Sequence, residues 1–125
     1  MYSLDFKNKG EIRMGSPYNL ADVRLSGEFV PDFRGCEFQD KGSVNQTGDA
    51  VALVQWAIEN NSPGVIVWMI SEKDRLLKKS RRLSGCCEGI RFLNDGSLEL
   101  TVSDNVRRKY VLSIDMNILS EHECP

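Results

Sequence analysis

Ala50-Val51-Ala52-Leu53-Val54-Gln55-Trp56-Ala57-Ile58, ahead of Asn60-Asn61-Ser62-Pro63-Gly64, is where a helix and a strand have to be told apart. Ala50, Leu53, Val54, Ala57 and Ile58 recur at the spacing of one helical face, and Thr47 or Asp49 can supply the capping oxygen. Val51, Ala52 and Trp56 widen that stripe, so the spacing predicts one principal helix over about 49–60, covered on more than one side. The Asn-Asn-Ser-Pro-Gly run stops it. Val65-Ile66-Val67-Trp68-Met69-Ile70 follows without alternation, as a central strand buried on both faces reads.

Outward from this centre the pattern is that of strands. Leu4-Asp5-Phe6-Lys7, a turn at Asn8-Lys9-Gly10 and Glu11-Ile12-Arg13-Met14 read as a hairpin, and Ala21-Asp22-Val23-Arg24-Leu25 alternates apolar with charged residues. Glycines and Pro31 punctuate an irregular stretch over 27–48, with Cys36-Glu37-Phe38 as a short strand. Glu72 to Ser84 fits either a basic helix or a continuing strand. Ile90-Arg91-Phe92-Leu93, the turn Asn94-Asp95-Gly96-Ser97 and Leu98-Glu99-Leu100-Thr101-Val102 form a hairpin. A further turn at Ser103-Asp104-Asn105 leads to Tyr110–Met116 as the third strand of a meander. The expected fold is α+β: a single domain over 1–125, mainly antiparallel sheet, with the 49–60 helix packed on it.

With 125 residues, 41% of them hydrophobic, the chain can bury a core of its own without a metal or disulfide staple. A net charge of −2 excludes a generally basic, nucleic-acid-coating protein. The opening Met1-Tyr2-Ser3-Leu4-Asp5 has no apolar leader, and the longest strongly apolar run, Val65 to Ile70, falls far short of the ~20 residues that span a bilayer. Cys36, Cys86, Cys87 and Cys124 form no CxxC pair, and reduced thiols in a cytosol are the expectation. The sole histidine, His122, sits near the end between Glu121 and Glu123, which removes the positioned base that Ser-His and Cys-His nucleophiles need. Zinc-ligand spacing and phosphate-cradling glycine loops are missing as well. The sequence points to binding rather than catalysis, with no cofactor and no metal.

Charge is distributed unevenly. Asp22, Glu28, Asp32, Glu37 and Asp40 make the first half acidic around a loop that carries Phe29, Phe33 and Phe38. Exposed acids with aromatics at loop positions suit a protein partner with a basic face, with Phe33 as the candidate anchor, although the same phenylalanines would equally serve a core. Between Lys73 and Arg91 seven basic residues face only Asp74 and Glu88. Lys78, Lys79, Arg81 and Arg82 therefore define the alternative, a small nucleic-acid-binding or regulatory module, without the interleaved aromatics that stack bases.

Gly10-Glu11-Ile12-Arg13-Met14-Gly15-Ser16-Pro17-Tyr18-Asn19, with Asp22-Val23-Arg24-Leu25, resembles small bacterial immunity proteins encoded beside contact-dependent inhibition and other polymorphic toxins. The resemblance covers about the first 30 residues and lies mainly in 10–25. It implies a cytosolic protein that binds and blocks a cognate toxin, often a nuclease, inside the producing cell. On that expectation Asp22, Glu28, Asp32, Phe33, Glu37 and Asp40 would meet the toxin's basic active site.

Overall fold

The computed structural model describes residues 1–11 and 19–123. It corrects the α+β expectation: among the described residues there is no helix, and the chain is built from two antiparallel sheets. The first runs β1 (Ser3–Glu11), β2 (Asn19–Ser26), β3 (Phe38–Val44), β4 (Ala50–Trp56), β5 (Gly64–Ser71) and β6 (Leu76–Lys79) side by side in chain order, with β7 (Leu83–Ser84) also on β5. The second runs β8 (Cys86–Phe92), β9 (Leu98–Ser103), β10 (Arg107–Leu112) and β11 (Ile118–Glu123).

The stretch read as a helix over 49–60 is β4, a central strand. Ala52, Val54 and Trp56 point to one side, into a core shared with Val65, Val67 and Met69 of β5 and with Leu98, Leu100, Val102, Tyr110 and Leu112 of the second sheet. Val51 and Leu53 point to the other, against Trp68 and Ile70. A strand buried on both faces shows no polar alternation, so its apolar residues also satisfy a helical template. Valines at 51 and 54 favour the pleated backbone, and two layers of tertiary contact decide the matter. The turn after it is a tight hairpin: Asn60 and Asn61 hold positive φ (49° and 62°), and Glu59 and Ser62 exchange backbone hydrogen bonds.

The second apolar cluster lies on the outer face of the first sheet. Leu4, Phe6, Val23 and Leu25 of the β1–β2 hairpin cover it together with Phe29, Phe33 and Cys36. Gly42 makes this possible. A Cβ there would stand 2.8 Å from the Ala52 carbonyl oxygen and 2.8 Å from the Leu4 side chain. The Tyr2 hydroxyl donates to the Phe29 carbonyl (2.5 Å), tying the same layer down.

The turn expected at Asn8-Lys9-Gly10 is instead a bulge within β1, which runs on to Glu11. The rest of the expected second strand, Ile12 to Met14, lies outside the described residues, as do most of the stretch resembling immunity proteins and Cys124. Within Glu72–Ser84 a turn at Glu72–Arg75 leads into strand rather than helix: β6 and β7 follow one edge of β5, broken over Ser80–Arg82. There Ser80 N donates to Val67 O and Val67 N donates to Ser80 Oγ, both at 2.9 Å, so the break leaves Val67 paired. Gly85 (φ 115°) then lifts the chain into the second sheet, where a Cβ would meet the Ser103 carbonyl oxygen at 2.6 Å.

Candidate functional site

β2 and β3 touch at one register pair, Ala21↔Phe38, and then part. The chain between them returns along the opening, which is a cleft of about 360 Å³ walled by Leu20–Val23 on one side and Asp32–Phe38 on the other. Asp22, Asp32, Phe33 and Glu37 line it. Four of the six expected contact residues are thus brought together from two segments. Glu28 is exposed on the loop but outside the cleft, and Asp40 sits half-buried in the irregular middle of β3, also outside.

Phe33 answers both readings of the loop aromatics. Half-buried, its ring lies 5.4 Å from Phe38, edge-on, and 5.8 Å from Trp68, while another part of it lines the cleft. It is a support that the core holds in place rather than a free anchor. Asp32 carries a counter-charge of its own. Arg34 Nε donates to both Asp32 carboxylate oxygens (3.1 and 2.9 Å), Nη2 donates to Oδ2 (2.7 Å), and Arg34 N donates to Oδ1 (2.9 Å). These bonds hold the Asp32 carboxyl below the ordinary carboxylate range. Arg34 is the cleft residue that sequence reasoning passed over. Its spacing of two from an aspartate in a loop was the available signal.

The rival basic segment is differently placed. Lys78 pairs with Asp115 (3.2 Å) and Arg81 with Glu121 (3.1 Å), both across to the second sheet. Lys79 lies 4.1 Å over the Trp68 ring. Arg82 donates to the carbonyls of Ala57 (2.7 Å) and Ser62 (2.8 Å) and clasps the β4–β5 turn. All four charges therefore have internal tasks, and they do not present one continuous face of unpaired cations to phosphates.

Among the described residues no group of three or more His, Cys, Asp or Glu could hold a metal. His122 is an exposed position on β11, in register with Lys109. Cys87 is buried, and burial pushes its thiol up to about 12; burial also raises the half-buried Cys86. Both stay thiols, unsuited to nucleophilic work at neutral pH. Among the described residues no helix is long and apolar enough to cross a membrane. No protein-family model, curated protein or solved structure matches the chain.

Proposed function

We propose that this chain is an immunity protein that binds a cognate toxin domain, a nuclease, in the cytoplasm of the producing cell and blocks its active site. The observation that supports the reading is the cleft itself: Asp22, Asp32 and Glu37, from two separate segments, converge around the held ring of Phe33. A nuclease active site presents cations for phosphates, and carboxylates at a shaped, aromatic-backed cleft are the matching surface. Inhibition follows from occupancy alone, so the protein needs no catalytic group of its own. The test is stoichiometric titration of this protein into the toxin encoded beside its gene, with nucleic-acid cleavage as the readout. Complete inhibition at one equivalent is expected, and absence of a complex ends the proposal.

A further inference from the structure

We infer that the partner enters the cleft as an extended, basic segment that adds as a strand to the open edge of β2, an inference that rests on reading the cleft as the docking site. β2 is paired with β1 along its whole length, from Asn19 to Ser26, but with β3 only at Ala21. Apart from that ladder to β1, no strand pairing or loop backbone hydrogen bond joins Val23–Ser26 to another described segment. Alternate peptide groups along these four residues therefore point away from β1 with no strand among the described residues to receive them. Such an edge inside a sheet is a template for main-chain pairing. Elsewhere the sheet fills its gaps, as Ser80 does for Val67. Here no described residue fills the gap, and its first member, Val23, lines the cleft.

The side chains around the edge select the segment's charge. Asp22, Asp32 and Glu37 line the cleft beside it, three carboxylates against the single cation Arg34, which is bonded to Asp32. Arg24, the cation on the same strand, is in register with Asp5 of β1. An incoming strand with Lys or Arg at alternate positions would place those cations over the cleft carboxylates while its peptide groups pair with β2.

The test uses the whole protein and a short, end-capped Lys-Val-Arg-Val-Lys peptide at low salt, followed by amide hydrogen exchange. Protection confined to Val23–Ser26 and its flanks is expected, weakening with added salt. Two versions N-methylated at alternate residues, one for each edge of the peptide, separate strand addition from simple charge attraction. One version should bind about tenfold more weakly, the equivalent of losing about two hydrogen bonds, and the other should bind nearly as the parent does. A Glu-Val-Glu-Val-Glu peptide should not bind. Equal binding by both methylated versions, or protection elsewhere, overturns the inference. The toxin arm keeps the two readings apart. A toxin complex in which Val23–Ser26 exchange as fast as in the free protein removes strand addition and leaves the inhibitor reading standing. Protection by the peptide without any toxin complex does the reverse.

Discussion

Gln39 shows how one side chain can stand in for a strand. It is buried at 3% exposure on β3, and its amide faces the backbone of Cys87 on β8, the edge strand of the second sheet. Cys87 N donates to Gln39 Oε1 (3.1 Å), and Gln39 Nε2 donates to Cys87 O, so a peptide-like group caps both backbone atoms. Gln39→Ala should cost about 2–4 kcal/mol, because two buried polar groups lose their partners. Urea denaturation and exchange of the Cys87 amide would register it. Phe33→Ala should lower stability by about 2 kcal/mol, since Phe38 and Trp68 lose a ring contact. A melting curve separates that loss from a pure affinity effect. Alkali should also unfold the protein early. Burial raises Cys87 from 9.0 to about 12, and burial with the nearby Glu72 charge raises Tyr2 from 10.0 to about 12. Each group stays protonated in the folded chain at pH values where the unfolded chain has lost the proton. Stability is therefore full below about pH 9 and falls between pH 9 and 12. Urea midpoints across that window should show the fall, and Cys87→Ala should remove its lower part.

At the scale of elements, β4 is the member most exposed to a single change. Leu53 is fully buried between strand neighbours and the outer layer, and Leu53→Ala should cost about 2–5 kcal/mol in chemical denaturation. Gly42→Ala should also destabilise, since the new methyl meets the rigid Ala52 carbonyl as well as the softer Leu4 side chain. The same elements explain what could be read in advance. Leu98, Leu100 and Val102 alternate with Glu99 and Thr101, and the β8–β9–β10 meander was legible from that period and from Asn94-Asp95-Gly96, although its third strand spans Arg107–Leu112 rather than Tyr110–Met116. β5 was legible too, as a run buried on both faces. β4 shares that burial, yet its alanines and valines also match a helical face, so only the neighbouring layers identify it. β3, Phe38-Gln39-Asp40-Lys41-Gly42-Ser43-Val44, was hidden because its inward residue is a glutamine and its close contact is made by a glycine. β11 carried no strand signal because five of its six residues are exposed. The site was half legible: the acids and Phe33 were named from composition. Spacing along the chain could not show that Asp22 faces Asp32 and Glu37 across a parted sheet while Glu28 and Asp40 fall outside.

For the molecule as a whole, charge and contact should act on different rates of complex formation. Asp32 and Glu37 are exposed, so if the proposed toxin complex forms at the cleft, Asp32→Ala with Glu37→Ala should slow its association about tenfold at low salt, an effect that shrinks as salt screens the field. Surface-plasmon kinetics at several ionic strengths would show it, and unchanged association would place the interface elsewhere. The order of the strands has a consequence of another kind. Every ladder joins strands that are consecutive in the chain, except that β7 returns to β5. Pairing can therefore follow synthesis, each strand adding to the one just made, with short loops to close. The Gln39–Cys87 bridge, 48 residues apart in sequence, is different, because it cannot form until β8 has arrived over a finished first sheet. Contacts made after the folding barrier govern how fast a protein comes apart rather than how fast it assembles. A chain lacking that amide should thus fold at nearly its normal speed and survive in the folded state for a shorter time.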